Sequence, residues 1–316
     1  MDKFYFDSTS LESDLSLSVI ICTKNRPGDF QECVESLFIQ SCLPDEIIVV
    51  DCSNNLDTFS IFKFFEKKRE VSMKYTHTKP GLTKQRNIGI GMSHGDILAF
   101  LDDDVVLERE YFCEILKCFK MMPEIAGVGG KLINTGQGNL LRKYFKKFFL
   151  LTSNDGDRGF VKRSGFANFP SGPNMRNIKS TEILSGCNCC FRKSVFDMYS
   201  FDEYFDGFGL MEDVDFSYRV SRSNRLVFTP GARLVHKRSE VDRINFTKSF
   251  NMNVFNHFYV FRKNGPRKRL DWLFFWWSHI GVALLAFYWT LRLKNFQPLR
   301  GVWMGHVKIL QSLLLK

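Results

Sequence analysis

The first 100 residues alternate between short strand-like runs and stretches with helical spacing of apolar residues. The runs are "LSVIIC", "DEIIVVD", "VSMKYTHT" and "DILAFLD", and the helical stretches between them are "FQECVESLFIQS", "TFSIFKFFEKKRE" and "GLTKQRNIGIGMS". Apolar runs of this length, bounded by polar and glycine-containing residues, indicate buried strands. The order is typical of βαβ units, so the sequence predicts an α/β fold with a mostly parallel sheet.

Polar side chains stand where the predicted strands end. Thr23 follows the first strand, Asp51 ends the second, and Asp102, Asp103 and Asp104 end the fourth. Sheets of this kind bind ligands outside the carboxyl ends of their strands, so we expect these residues to line one crevice.

The three consecutive carboxylates are unfavourable unless a positive charge compensates them. Oxygen ligands at a strand end suit Mg²⁺ or Mn²⁺, and the sequence therefore indicates a metal site. The alternative is an acidic turn that precedes a helix beginning near Glu108. The chain contains neither GxxxxGK[ST] nor GxGxxG, which argues against ATPase and dinucleotide sites.

The net charge of +10 indicates an anionic partner, which is a nucleic acid, a phosphorylated substrate or an anionic membrane. Nine cysteines are scattered along the chain, and their one cluster, "GCNCC", lacks the paired C-x-x-C spacing of a zinc site. We therefore expect buried free thiols in a reducing compartment.

The N-terminus shows no apolar signal segment, so the bulk of the protein is expected in the cytoplasm.

Six segments resemble those of family 2 glycosyltransferases, in the same order and spacing. They are "SVIICTKNRP", "EIIVVDCSNN", "GLTKQRNIGI", "ILAFLDDDV", "SGCNCCFRKSVFD" and "EDVDFSYRV". The resemblance covers residues 17–263 and implies the GT-A fold, a Rossmann-like sheet with flanking helices. It implies a nucleotide-sugar-binding half at 17–107 and an acceptor-binding, catalytic half at 108–263, after a polar tail at 1–16.

The aspartates resemble the DxD-type motif of that family, which binds a metal that holds the diphosphate of a nucleotide-sugar. This implies Asp102 and Asp104 as ligands of Mn²⁺ or Mg²⁺, with Asp103 between them at the nucleotide-sugar. Which two of the three aspartates touch the metal stays open. His236, at the end of a predicted strand, resembles a metal-ligating histidine of related enzymes, and a structural histidine is the alternative.

Four further residues match donor-binding positions of the family. Thr23 and Arg26 belong to the loop that lies against the nucleobase, and Asp51 resembles the carboxylate that hydrogen-bonds it. Arg86 matches a residue near the nucleotide, and the alternative is a cation on a helix surface.

A second acidic cluster, "MEDVDFSYR", introduces another predicted helix. The resemblance implies Asp213 as general base and Glu212 as a supporting acceptor contact, whereas Asp215 suits a helix N-terminal acid. One base with in-line attack implies inversion of configuration at the sugar carbon.

Gly186 and Asn188 resemble a loop near the donor sugar and acceptor, with a tight turn as the alternative. The QxxRW motif of processive members is absent, so we expect transfer of one sugar or a few.

The C-terminal segment at 264–316 differs in kind from the rest. The polybasic "RKNGPRKR" precedes an apolar, aromatic-rich stretch at 272–291 that is long enough to span a bilayer. A transmembrane helix, helices lying in the membrane interface, and a buried core or dimer helix are the three interpretations. Aromatic richness and flanking basic residues favour the interface. The tryptophans expected to anchor it are Trp272, Trp276, Trp277, Trp289 and Trp303.

The sequence thus predicts a metal-dependent, inverting, nonprocessive hexosyl- or deoxyhexosyltransferase. Its expected partners are a nucleotide-sugar donor, a lipid-linked or polysaccharide acceptor and the cytoplasmic face of the cell membrane, to which it binds peripherally. No nucleic-acid partner is expected, and the oligomeric state stays open. A nucleotidyltransferase of related fold is one alternative, although "CTKNRPGD" is a poor phosphate loop. A catalytically silent nucleotide-sugar-binding or membrane scaffold protein is the other, and the intact acidic clusters argue against it.

Overall fold

A computed structural model describes most of the chain. The described ranges are 15–68, 70–134, 139–156, 158–170, 175–205, 207–239, 245–265 and 268–314. The predicted polar tail at 1–16 lies outside these ranges, except for its last two residues.

Strands and helices alternate through the first hundred residues, which confirms the predicted order. The strands are β1 (Leu17–Thr23), β2 (Glu46–Asp51), β3 (Ser72–His77), β4 (Ile97–Asp102), β5 (Val105–Leu107), β6 (Ile125–Leu132), β7 (Ser153–Gly156), β8 (Phe160–Val161), β9 (Ala167–Pro170), β10 (Lys179–Thr181), β11 (Asn188–Arg192) and β12 (Arg225–His236). The helices are α1 (Pro27–Phe38), α2 (Asp57–Glu66), α3 (Leu82–Met92), α4 (Tyr111–Met121), α5 (Leu140–Phe148), α6 (Glu212–Ser221), α7 (Phe246–Asn264), α8 (Asp271–Leu293) and α9 (Gln297–Leu314).

The central sheet has the strand order β10-β12-β6-β11-β4-β1-β2-β3, and β5 pairs with β12. Strands β3, β2, β1 and β4 are all parallel, as predicted, so their carboxyl ends share one edge. Strand β11 runs antiparallel between β4 and β6. A small separate sheet has the order β7-β9-β8.

Apolar side chains cover both faces of the sheet. Val19 and Ile21 of β1 belong to the cluster on one face, and Ile20 and Cys22 belong to the cluster on the other. Successive side chains of a strand point to opposite faces, so a strand covered on both sides needs an unbroken apolar run. This explains why such strands appear in the sequence as continuous apolar segments.

A third apolar cluster joins helices α7, α8 and α9 to the body of the protein. It includes Phe149 after α5, Phe258 of α7, Phe275 of α8 and Ile309 of α9. The boundary predicted between residues 263 and 264 lies inside helix α7, which ends at Asn264. The four-part division of the chain stays a prediction.

Among the described residues, α8 is the one helix long and apolar enough to cross a membrane by length and composition. One side of this helix is buried in the protein, through side chains such as Phe275, Val282 and Ala286. The other side is exposed. We call it the apolar face of α8, and it consists of Leu273, Trp276, Trp277, Ile280, Leu284, Phe287, Tyr288 and Leu291.

Two expectations from the sequence are wrong. The helix expected near Glu108 begins at Tyr111, because the preceding residues pair with β12 as β5. Cys42 and Cys113 form a disulfide instead of two free thiols. They lie 71 residues apart in sequence, on segments that pack side by side, and only the tertiary structure brings them together. The other seven cysteines are free and buried, as expected.

Candidate active site

Three potential metal ligands meet where β4 ends. Asp102 closes β4, Asp104 follows in the turn to β5, and His236 closes β12, where it pairs with Val105. Ligand atoms of the three side chains all lie within 4.8 Å of one another. Two carboxylates and an imidazole are a donor set that suits Mn²⁺, so the residues present fit such an ion.

Asp104 is the buried member of this cluster, and it contacts the half-buried His236. Asp104 Oδ1 lies 3.0 Å from His236 Nε2, and its Oδ2 accepts a hydrogen bond of 2.9 Å from the Ser239 N–H. Burial lowers the pKa of His236, but the hydrogen bonds to Asp104 and Cys187 and the nearby negative charges together outweigh it and raise this pKa to about 10. A cation that binds here therefore displaces a proton from the histidine.

Asp103 faces away from this cluster. Its Oδ2 accepts a hydrogen bond of 2.8 Å from Thr23 Oγ1, and its Oδ1 accepts one of 3.1 Å from Arg26 Nη1. Burial raises the pKa of Asp103 to about 7, against the opposing effect of Arg26 and Thr23. The geometry favours Asp102 and Asp104 as the two aspartates that face a metal.

Arg86 is buried at the centre of the site, which excludes the alternative of a surface cation. Its Nη1 lies 2.5 Å from Glu212 Oε1, and its Nη2 donates to the Gly186 carbonyl at 2.8 Å and lies 3.5 Å from Asp102 Oδ1. Burial acts to lower the pKa of Arg86, but Glu212 and Asp102 raise it on balance. One guanidinium group thus links the two acidic clusters.

Asp213 is held in a fixed orientation at the start of α6. Its Oδ2 accepts a hydrogen bond of 3.0 Å from the Gly186 N–H, and its Oδ1 accepts one of 2.8 Å from the Val214 N–H. Burial raises the pKa of Asp213, and these N–H groups oppose the rise. A carboxylate with a raised pKa and a fixed orientation is a suitable proton acceptor.

The surroundings of Asp215 indicate a structural role, unlike those of Asp213. It is fully buried, and its carboxylate accepts hydrogen bonds from Arg219, Lys263 and Asn264. These contacts connect α6 to α7 and support its interpretation as a structural helix acid.

Gly186 and Asn188 both lie inside the site. A Cβ at Gly186 would lie 2.6 Å from Glu212 Oε1 and 3.0 Å from Arg86 Nη2, so a side chain does not fit there. Asn188 Oδ1 accepts a hydrogen bond of 3.1 Å from the Gly130 N–H. Its buried Nδ2 has no hydrogen-bond partner among the described residues, which leaves its N–H groups for a ligand.

Asp51 lies farther from the cluster, at the end of β2. It is fully buried, and its oxygens accept hydrogen bonds of 2.8 Å from the Tyr75 hydroxyl and 2.7 Å from the Ser53 N–H. Its contact with a nucleobase stays a prediction.

A cavity of about 390 Å³ is lined by Asp213 of the second acidic cluster and by His236, which belongs to the group of potential metal ligands. Asn188 of β11 also lines it. Phe169 of β9 and Asn253 of α7 complete the wall. The arrangement places the Asp213 carboxylate and one of the three potential metal ligands around one space large enough for a sugar ring.

The contribution of α7 to the cavity was not predicted from the sequence. Asn253 lines the cavity, and Asn256, one turn later, donates a hydrogen bond of 2.8 Å to the Leu210 carbonyl. The signal was present in "NMNVFNH", where amide side chains recur at helical spacing within an otherwise apolar helix.

The chain is similar in sequence to curated glycosyltransferases. A glucosyl-dolichyl phosphate glucuronosyltransferase of Haloferax volcanii is 24% identical over 58% of this chain. A GalNAc(5)-diNAcBac-PP-undecaprenol beta-1,3-glucosyltransferase of Campylobacter jejuni is 29% identical over 42% of it. The matched parts cover 54% and 42% of those proteins, so the chain spans about half the length of these curated relatives.

The fold is also found among solved structures. GalNAc-T7, solved with UDP, GalNAc and Mn²⁺, superposes with a TM-score of 0.58 at 16% identity, over 85% of this chain and 55% of that one. This likeness confirms the GT-A-like architecture. The sequence model described as Glycosyl transferase family 2 matches residues 18–199, more than half of the 316 residues. With six motifs in order on this fold, the chain belongs to glycosyltransferase family 2.

Proposed function

We propose that the chain is a metal-dependent, inverting, nonprocessive glycosyltransferase that uses a nucleotide-sugar donor. The observation that carries the proposal is a single cavity lined by Asp213 and by His236 of the metal-ligand cluster. Transfer of a sugar from a diphosphate to a hydroxyl requires a base at one end and charge neutralisation at the other.

At the donor end, Asp102, Asp104 and His236 would hold Mn²⁺ or Mg²⁺. The bound ion would neutralise the charge that develops on the leaving nucleoside diphosphate. Arg26 supports this end, because its guanidinium lies 3.1 Å from Asp103 and 3.7 Å from Asp104 and adds positive charge beside the cluster. We assign the nucleobase to the neighbouring edge of the sheet, near Thr23 and Asp51.

At the acceptor end, Asp213 accepts the proton of the attacking hydroxyl. The N–H groups of Gly186 and Val214 orient its carboxylate, and burial makes it a stronger base. Arg86 holds Glu212 in an ion pair, which leaves Asp213 as the base. Attack in line with the departing diphosphate gives a single displacement with inversion.

The two proposed halves of the catalytic domain each contribute one end of the site. Residues 17–107 supply Asp102, Asp104 and Arg86, and residues 108–263 supply Asp213 and the cavity wall. The names of the relatives from Haloferax volcanii and Campylobacter jejuni refer to dolichyl phosphate and PP-undecaprenol. We therefore propose a lipid-linked glycan or a growing polysaccharide as acceptor and a hexose or deoxyhexose as the transferred sugar.

The apolar face of α8 supports a position on a membrane surface. Exposed Tyr144 and Phe148 of α5 extend it, and the Trp277 Nε1–H donates to the Phe148 carbonyl at 2.8 Å, which holds the two helices together. Helix α5 also carries basic residues, and the whole chain has a net charge of +10. An exposed apolar surface beside basic residues suits the interface of an anionic leaflet, and we place the chain peripherally on the cytoplasmic face of the cell membrane.

Release of nucleoside diphosphate from a panel of nucleotide-sugars tests this function, with Mn²⁺, Mg²⁺ or EDTA and with lipid-linked acceptors. We expect release that needs both a divalent cation and an acceptor. Binding of a nucleotide-sugar without turnover under every condition would favour the silent binding protein instead.

A further inference from the structure

The segment that leads into the proposed base has an unusual backbone. Gly207, Gly209 and Met211 have φ values of 64°, 62° and 74°. The left-handed region suits glycine, but it is unfavourable for a residue with a side chain such as Met211. Met211 directly precedes Glu212 and Asp213 at the start of α6. A strained residue at this place persists only if its surroundings hold it.

Contacts from two helices hold this segment. From α3, the Leu82 N–H donates to the Gly207 carbonyl at 3.1 Å, and Thr83 Oγ1 donates to the Phe205 carbonyl at 3.2 Å. From α7, Asn256 Nδ2 donates to the Leu210 carbonyl at 2.8 Å. The α3 contacts hold the beginning of the segment, and the α7 contact holds its end.

The contact from Asn256 acts next to the strained residue. The Leu210 carbonyl and the Met211 N–H belong to the same planar peptide, so fixing this carbonyl restricts rotation about φ of Met211. Asn256 is itself 8% exposed, and its buried donor is therefore not in competition with bulk water.

We propose that Asn256 is a positioning residue for the transfer reaction. Its hydrogen bond to the Leu210 carbonyl fixes the Leu210–Met211 peptide and thereby the position of Asp213. The inference rests on the proposed function of Asp213 as base. Loss of the hold lets Met211 leave the left-handed conformation, which rotates the start of α6 and moves the Asp213 carboxylate away from the Gly186 N–H. A displaced base slows the chemical step without changing the donor site.

Asn256→Leu tests this role, because leucine is of similar size and has no donor. Asn251→Leu is the matched control. Asn251 is also buried on α7, at 7% exposure, but its backbone carbonyl lies beside Gly305 of α9, away from the base. We expect Asn256→Leu to lower kcat at least tenfold, with the donor KM unchanged, and Asn251→Leu to leave kcat near that of the wild type.

Hydrogen exchange of the amides at residues 207–213 gives a readout that does not depend on turnover. We expect faster exchange there in Asn256→Leu and wild-type exchange in Asn251→Leu. Unchanged exchange, or faster exchange with an unchanged kcat, would overturn the proposal. If the wild type itself transfers no sugar, the proposed function fails, whereas the exchange experiment still decides whether Asn256 holds the segment. Asn256→Ala replaces the leucine variant if that variant does not fold.

Discussion

Asp103 and Asp104 are adjacent in sequence, but their carboxylates have different partners. Asp104 faces His236, whereas Asp103 faces Thr23 and Arg26. We expect Asp104→Asn to weaken Mn²⁺ binding at least about tenfold, because a neutral amide is a poorer metal ligand than a carboxylate. Calorimetric titration of the purified protein with Mn²⁺ measures the change.

Asp103→Asn is the matched control for this prediction. It makes the same chemical change one residue away, and its Mn²⁺ affinity should stay near that of the wild type. Its nucleotide-sugar affinity should fall instead, because Arg26 loses its 3.1 Å ion pair with Asp103. Equal losses of metal affinity in both variants would contradict the distinction and indicate that Mn²⁺ responds only to the total charge of the acidic turn.

Asp213 and Glu212 are also neighbours with different surroundings. Of these two carboxylates, Glu212 is paired with Arg86, so Asp213 remains to accept a proton. We expect Asp213→Asn to lower transfer by about 10²–10⁴-fold, the usual contribution of a general base, while nucleotide-sugar binding is retained. Acceptor-dependent release of nucleoside diphosphate and donor titration measure the two effects. Asp57→Asn, on exposed α2, should change neither, and rapid transfer by the Asp213 variant would mean that another group is the base.

At the scale of secondary-structure elements, Glu46 joins β2 to three neighbouring segments. Its carboxylate accepts hydrogen bonds of 2.6 Å from Ser18 Oγ of β1, Lys74 Nζ of β3 and the His94 N–H after α3. Burial raises the pKa of Glu46, but these donors outweigh it and lower this pKa to about 2. The carboxylate therefore stabilises the folded state only where it is ionised.

The lowered pKa of Glu46 makes its contribution to the free energy of unfolding depend on pH. The folded pKa of Glu46 lies below its ordinary value of 4.5, so its contribution is present above pH 4.5 and disappears as the pH falls toward 2. We expect the wild type to exceed Glu46→Gln by about 2–3 kcal/mol in free energy of unfolding near neutral pH, and this difference to shrink below pH 4.5. Urea unfolding at a series of pH values measures it.

Glu66→Gln is the control for the stability experiment. Glu66 ends α2 with an exposed carboxylate whose ion pair with Lys63 is solvent-accessible, and such pairs contribute little. A difference between the wild type and Glu46→Gln that stays constant from pH 7 to pH 2 would contradict the assigned role.

Most elements of the first hundred residues could be predicted because β1, β2 and β4 are buried on both faces and α1 and α2 each have one apolar side. Asp102 and Asp104 followed from their place at a strand end. His236 and Asn188 lie at the site because β12 and β11 pair with strands that are far away in sequence. Such pairing cannot be predicted from the local sequence. The family resemblance supplied these two residues. The Cys42–Cys113 disulfide and the role of Asn256 had no comparable support, because each depends on packing between segments far apart in sequence.

At the scale of the whole molecule, helices α7, α8 and α9 behave as one layer. A chain of buried histidines connects them, with 3.0 Å between His257 and His279 and 3.0 Å between His279 and His306. Burial lowers the pKa of His257 to about 3, so this histidine stays neutral at physiological pH. Removal of residues 264–316 would expose the third apolar cluster and take away the partners of α7. A test of membrane binding therefore needs substitutions on the surface of the layer.

We expect the combined substitution of Ile280→Glu and Leu284→Glu to weaken binding to anionic lipid vesicles. Both side chains lie on the apolar face of α8, at 50% and 45% exposure, so glutamate replaces them without entering the core. Burial of each in a membrane interface contributes about 1.5 kcal/mol, and the like charge of anionic lipids adds repulsion. Vesicle sedimentation should show at least about a hundredfold loss of affinity, since 1.4 kcal/mol is tenfold.

Leu56→Glu is the control, because Leu56 is 72% exposed beside α2, outside the C-terminal layer. It changes the net charge in the same direction but should have a much smaller effect on sedimentation. Salt separates the two contributions further, because it screens the attraction of the basic chain to lipid while leaving burial of the apolar face intact. Two added charges weaken a purely electrostatic attraction about twice as much, in free energy, as one added charge. If the double variant exceeds Leu56→Glu only by this factor, and high salt abolishes the remaining binding, membrane attraction is purely electrostatic and the apolar face of α8 must have another partner.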